Sequence, residues 1–303
     1  MKKVFLILSL PFLLFSCSKN SSVDKPAPQA EAARKPITLN ITGLRQSHED
    51  FPAREDNAVK LSDVYYVIYS GNGTKLNYIH QDTVNNKETF GTIQDSLAPG
   101  VYTVALFAAE SALYMEHVAN YSNISSHSFA PQLTGMGVLP SGQIFYKKFQ
   151  LEVKLDGNPP SIDVALDRIV GKLQIELFDA LSQNTANGNL AMQIHPLAPF
   201  FSISESTALP PDDIWQYWGT RTSQTTFEDY FIGSDHEFTV TINYQDKNTG
   251  AFLTKTVEHV KCIANQKTII RGYLYGDPQN PGGPGLQLRL NQSWSADSTV
   301  IPL

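Results

Sequence analysis

The chain has 303 residues, of which 42% are hydrophobic and 17% are charged, and its formal net charge is −6. This length suits two domains of ordinary size or one large β domain. The acidic balance and the lack of a basic stripe argue against a nucleic-acid partner. With only Cys17 and Cys262 present, a disulfide framework is not expected.

Residues 1–16 have the pattern of a bacterial lipoprotein signal peptide. Lys2 and Lys3 precede an apolar run over residues 4–15, which is shorter than the roughly 20 residues that a membrane-spanning helix needs. The sequence Leu-Phe-Ser-Cys at 14–17 resembles a lipobox, so Cys17 is the predicted lipidation site, carrying palmitate or similar acyl chains. The alternative is an ordinary secretory signal with a coincidental cysteine. Residues 17–35 are predicted to be a flexible spacer.

Residues 36–157 are predicted to form an N-terminal β-sandwich. Ile37, Leu39 and Ile41 alternate with polar residues, which predicts a half-buried strand that Gly43 ends. The remaining predicted strands of this part are 61–69, 76–80, 101–108 and 144–155. An Asn-Gly turn joins the first two of these, and residues 114–140 are predicted to be a long loop with small elements.

Residues 156–160, Asp-Gly-Asn-Pro-Pro, have the composition of a domain boundary. A C-terminal β-sandwich is predicted over residues 161–303. Its predicted strands lie within 162–178, 190–203, 236–244, 252–260, 269–275 and 286–290. No long amphipathic helix is present in the pattern. The predicted fold class is therefore all-β, with two sandwich domains in tandem.

The sequence contains no recognised catalytic or metal-binding motif. The seven histidines are scattered, and neither a metal-binding motif nor a nucleophile elbow occurs. We expect no metal, no cofactor and no enzymatic activity. A hydrolase with two carboxylates on separate strands stays open as an alternative, because such a pair leaves no local signature.

Trp215 and Trp218 are candidate glycan contacts, because exposed aromatic rings can stack on sugar rings. They would suit a surface glycan-binding lipoprotein. The competing interpretation places both rings in a sandwich core or at its edge.

Four stretches in a fixed order carry a resemblance to a known family. They are LSDVYYVIY at 61–69, LAPGVYTV at 97–104, LDRIVGKL at 166–173, and Gly-Tyr-Leu at 272–274 ahead of a last strand that ends near Trp294. Following a lipobox and spacer, this order resembles the Bacteroidetes fimbrillin superfamily, and within it the FimB-like fimbrial anchor and accessory lipoproteins.

The resemblance implies two transthyretin-like β-sandwich domains in an outer-membrane, surface-exposed lipoprotein of the fimbrium. Its partners would be other fimbrial subunits, joined by β-strand exchange, and a host or bacterial surface ligand in cell adhesion. In stalk subunits of the family an Arg-specific protease removes the first strand, whereas anchors keep it. Arg45 follows the matching strand here. It is either a processing site, as in a protease-activated stalk or tip subunit, or an ordinary residue of a retained strand.

Overall fold

The computed structural model describes residues 33–45, 59–135, 137–139, 142–156, 160–186, 188–219, 221–276, 279 and 286–291, with backbone alone at 44–45 and 286–291. Residues from Arg34 onward belong to one compact unit. None of the helices in these ranges is long and apolar enough to cross a bilayer. The predicted all-β class is confirmed, since the described elements are nearly all strands.

The first part of the chain is built mainly from five long strands. Its described elements are β1 (Lys35–Arg45), β2 (Asp63–Ser70), β3 (Lys75–Asp82), β4 (Thr92–Leu97), β5 (Gly100–Ala109), α1 (Glu116–Asn120), a 3-10 turn (Ile124–Ser126), β6 (Ser128–Phe129), β7 (Leu133–Thr134), β8 (Gly137–Val138) and β9 (Ile144–Val153). The predicted long loop at 114–140 thus contains α1 and short strands.

The second part of the chain continues with eleven described strands. They are β10 (Ser161–Arg168), β11 (Val170–Leu177), β12 (Leu190–His195), β13 (Phe201–Ser202), β14 (Thr207–Ala208), β15 (Tyr217–Gly219), β16 (Thr226–Ile232), β17 (Ser234–Gln245), β18 (Phe252–Cys262), β19 (Lys267–Gly272) and β20 (Leu286–Asn291).

The first sandwich is one seven-stranded sheet that folds over on itself, in the order β3-β2-β5-β9-β10-β1-β4. The two halves of this sheet enclose an apolar cluster, the first core. Its larger members include Ile37, Leu39, Tyr66, Ile68, Ile93, Leu97, Tyr102, Leu106, Phe145, Leu151, Val164 and Leu166. The side chains of β2 alternate between the two faces of the sheet. Tyr66 packs into the first core, while Tyr65 and Val67 belong to a separate apolar cluster on the opposite face.

The second sandwich has two four-stranded sheets, with the orders β16-β11-β19-β20 and β15-β12-β17-β18. Their inner faces enclose the second core, which includes Leu173, Ile175, Ile194, Tyr217, Phe227, Val240, Ile242 and Ile270. The period-two patterns that predict β11 and β17 match these inward positions.

The placement of β10 differs from the sequence analysis, which starts the C-terminal sandwich at residue 161. In the structure β10 pairs parallel with β1 and antiparallel with β9, in the first sheet. Val164 and Leu166 explain the difference, because both side chains are buried in the first core. Assigning 161–168 to the second sandwich is therefore wrong. We draw the boundary between β10, which ends at Arg168, and β11, which begins at Val170 in the second sandwich.

Candidate functional site

Strand β1 lies inside the first sheet with a partner strand on each side. It pairs parallel with β10, with Leu39 opposite Ile162, and antiparallel with β4, with Leu39 opposite Ile93. A strand hydrogen-bonded on both edges occupies a groove whose two walls are its neighbours. Removing β1 would expose the ladder groups of β10 and β4 together.

The side chains of β1 alternate between the core and the surface. Ile37 and Leu39 are 1% and 0% exposed and belong to the first core, whereas Thr42 is exposed. On the outer side, the Asn40 Nδ2 donates to the Asp163 Oδ1 at 3.1 Å. The strand therefore fills the groove with two full apolar side chains, and its register is fixed because a shift by one residue would turn both out of the core.

Strand β1 is longer than the sequence pattern predicts. It runs from Lys35 to Arg45, and Gly43 lies at an irregularity in the pairing with β10 instead of ending the strand. Arg45 is the last residue of β1, with its Cα opposite that of Asp167. The backbone described at Arg45 is thus that of a paired strand, and residues 46–58 lie outside the described ranges.

Strand β4 is the far wall of the groove, and it is held by contacts that bypass β1. The Gln81 side chain of β3 donates its Nε2 to the Thr92 carbonyl oxygen at 2.9 Å and accepts from the Gly91 N–H at 3.0 Å. The Tyr66 hydroxyl donates to the Asp95 Oδ2 at 2.9 Å. Burial raises the pKa of Tyr66, so this phenol stays a neutral donor.

Sequence reasoning missed β4 because its pattern is broken. Ile93, Asp95 and Leu97 are the period-two positions, and the two apolar residues are buried. The carboxylate between them interrupts the apolar alternation, and its hydrogen bond with Tyr66 satisfies it at that position. The carboxylate also accepts from the Ser96 N–H at 2.7 Å, but its partner across the core, Tyr66, has no local signal in the sequence.

The predicted lipidation site, Cys17, lies outside the described residues. Cys262 is fully buried in the second core. Burial raises the pKa of its thiol to about 12, so it is a packing residue without nucleophilic character.

The two candidate tryptophans have different surroundings. Trp215 packs against the second core, with its ring edge-on to Phe200 at a centroid distance of 5.8 Å. Trp218 lies in β15 and is 52% exposed. Tyr217, next to it, is buried in the second core. The two tryptophans are thus not equivalent: Trp215 is half-buried against the second core, whereas Trp218 is exposed.

One half-buried carboxylate stands out chemically. Asp229 in β16 accepts a hydrogen bond from the Tyr217 hydroxyl, and burial raises the pKa of Asp229 to about 7. Its partner is a phenol from the second core instead of a second carboxylate. Within the described residues, no group of three or more His, Cys, Asp or Glu is arranged to hold a metal ion.

Comparison with solved structures finds the same fold in proteins of Bacteroides and Porphyromonas. A proposed polysaccharide-binding protein from Bacteroides thetaiotaomicron superposes with a TM-score of 0.54 at 10% identity, covering 86% of this chain and 96% of that one. A proposed adhesin from Bacteroides ovatus gives 0.54 at 11%, covering 89% and 95%. The fimbrial anchor protein Mfa2 from Porphyromonas gingivalis gives 0.51 at 12%, covering 84% and 95%.

Neither the comparison with protein-family models nor that with curated proteins gives a match. At these identities the likeness is one of fold. The chain thus has the fold of fimbrial and adhesin-type proteins of Bacteroidetes, which confirms, at the level of the fold, the resemblance to the fimbrillin superfamily that the sequence carries.

Proposed function

We propose that the chain is a non-enzymatic outer-membrane lipoprotein that serves fimbriae as an anchor or accessory subunit and supports cell adhesion. The observation that carries the proposal is β1, which fills its own groove with Ile37 and Leu39. The fold shared with a fimbrial anchor protein supports it. Acyl chains on Cys17 would hold the protein at the membrane, since each buried CH₂ contributes about 0.8 kcal/mol.

Assembly would use β-strand exchange, in which a strand of one subunit completes the sheet of another. Backbone hydrogen bonds give such a contact its strength, and alternating side chains give it its register. A subunit that keeps β1 between β4 and β10 has no vacant place there for a donor strand. It would therefore end a polymer of other fimbrial subunits at the membrane.

The alternative role within the fimbrium is a stalk or tip subunit activated by proteolysis. A cut after Arg45 would separate β1, together with everything before it, from the rest of the chain. The contacts of Gln81 and Tyr66 with β4 do not depend on β1, so the far wall of the emptied groove would keep its attachments.

Substitutions of Cys17 and Arg45 in the native organism distinguish these roles. For an anchor, Cys17→Ala releases fimbriae into the medium, while Arg45→Ala leaves assembly and attachment intact. Arg54→Ala is the matched control for loss of a nearby arginine. The anchor proposal fails if Arg45→Ala blocks fimbrial assembly, or if the protein does not co-purify with fimbriae and its deletion leaves their attachment unchanged.

A further inference from the structure

The outer surface of the sheet β15-β12-β17-β18 is open to solvent. We call it the open face and define it by the side chains that point away from the second core: Gln216, Trp218, Ala191, Gln193, His195, Thr239, Thr241, Asn243, Gln245, Phe252, Thr254 and Thr256. None of these residues is buried. None is Lys, Arg, Asp or Glu. Charged side chains do occur beyond Thr239 on the same side of the sheet, where Glu237 pairs with His259 and Lys261, and these three residues lie outside the open face as defined.

A row of side chains crosses all four strands of the open face at one register. Gln193 is opposite Trp218 on one side and Thr241 on the other, and Thr241 is opposite Thr256. Because neighbouring strands lie about 4.8 Å apart, this row is about 14 Å long. Such a length matches a short oligosaccharide of a few rings.

The chemistry of the row suits sugar hydroxyls. Gln193 donates its Nε2 to the Gln216 Oε1 at 2.7 Å, which leaves the Gln193 carbonyl oxygen and the Gln216 amide nitrogen free of partners among the described residues. The hydroxyls of Thr241 and Thr256 also bond no described residue. Amides and hydroxyls can both donate and accept, as each sugar hydroxyl does.

Trp218 supplies an apolar end to the row. Its ring is half exposed, with its neighbour Tyr217 packed into the second core. The negative face of an indole attracts the C–H groups on the apolar face of a pyranose ring.

We infer that the open face binds a neutral oligosaccharide, with one sugar ring stacked on Trp218 and the next rings hydrogen-bonded to Gln193, Thr241 and Thr256. The row itself carries no cationic side chain, which selects against anionic glycans and nucleic acids, since these require cations. A protein partner would need a contiguous apolar centre, whereas the large apolar rings of this face, Trp218 and Phe252, are three strands apart. The inference is independent of the fimbrial role.

The test uses the full chain in detergent, with affinity electrophoresis and calorimetry against neutral β-glucan, galactomannan and α-mannan, and against polygalacturonate and heparin. We expect binding to at least one neutral polysaccharide. Trp218→Ala and Gln193→Ala should each raise the Kd at least tenfold, while Trp218→Phe stays within a few-fold of the wild type.

Phe178→Ala is the matched control, because Phe178 is 56% exposed but lies beyond β11, on the other sheet. It should bind like the wild type, and urea unfolding midpoints should show that all variants fold. The inference is overturned if no neutral polysaccharide binds, if Trp218→Ala binds as tightly as the wild type, or if charged polymers bind preferentially and salt releases them. Fimbrial co-purification of Trp218→Ala should stay normal, so failure here leaves the anchor proposal standing.

Discussion

The side chain of Gln81 hydrogen-bonds the backbone of Thr92 on the outer strand β4. It donates to the Thr92 carbonyl oxygen at 2.9 Å and also accepts from the Gly91 N–H at 3.0 Å. These groups lie on β3 and at the start of β4, the two outer strands of the seven-stranded sheet. One buried amide thus joins the edges of the first sandwich and holds the far wall of the β1 groove.

We expect Gln81→Ala to lower the free energy of unfolding by about 1–3 kcal/mol, because a buried backbone donor and acceptor lose their partner. Urea denaturation followed by circular dichroism measures the change. Gln150→Ala is the control, since Gln150 bonds Thr103 on the surface and its loss should cost less than about 0.5 kcal/mol. Equal costs for the two variants would contradict the role given to Gln81.

Leu39→Ala tests whether β1 is a full member of the first core. The side chain is 0% exposed, so its truncation should leave a cavity and lower the unfolding free energy by about 2–5 kcal/mol. Thr42→Ser, at an exposed position of the same strand, should change stability by less than about 0.5 kcal/mol. If Leu39→Ala is as mild as Thr42→Ser, β1 does not pack in the groove as described.

Asp229 makes stability depend on pH. Burial raises its folded-state pKa to about 7, above the roughly 3.9 expected in the unfolded chain. The folded state therefore holds a proton that the unfolded state loses between about pH 4 and 7. Its stabilising effect is complete below about pH 4 and is lost as the pH rises to about 7, with a slope of at most about 1.4 kcal/mol per pH unit.

Comparing urea midpoints of the wild type and Asp229→Asn from pH 4 to 8 isolates this group. The asparagine keeps an acceptor for the Tyr217 hydroxyl but cannot titrate. We expect the wild type to lose stability relative to the variant as the pH rises. A difference that stays constant with pH would show that Asp229 is ionised in the folded state throughout.

Thiol labelling reports on both cysteines at once. Cys262 is buried with a pKa raised to about 12, so iodoacetamide at pH 8 should leave the native protein unmodified. In denaturant, protein isolated from native membranes should show one reactive thiol, because the sulfur of a lipidated Cys17 is blocked by its lipid. Labelling of the native protein would contradict the burial of Cys262, and two thiols in denaturant would contradict the lipidation.

The parts of the fold that the sequence predicts are those with local signals. Ile37 and Leu39 alternate with polar residues, and both are buried as the pattern indicates. Pairings between distant segments carry no such signal. The period of β10 predicts a strand but does not tell whether Val164 packs with the first or the second sandwich. Strand β4 is not predicted at all, because Asp95 occupies an inward position and interrupts its apolar alternation.

The candidate site likewise contains some features that the sequence predicts and others that it does not. The position of the first strand can be read from the sequence and the family pattern, but its extension past Gly43 to Arg45 cannot. The Gln81 bridge cannot, since any polar residue in a strand looks alike until its partner is known. The tryptophan pair shows the limit of spacing: Trp215 and Trp218 are three positions apart, yet Trp215 packs against the second core and Trp218 is exposed.

The intact mass and N-terminus of the protein from native outer membranes test the central claim most directly. The account requires a chain that begins at an acylated Cys17 and still contains β1, so that Ile37 and Leu39 remain in the groove. A chain that begins at Gln46 would contradict it, because that protein would have lost its lipid and its first strand together. It would then be a polymerising subunit.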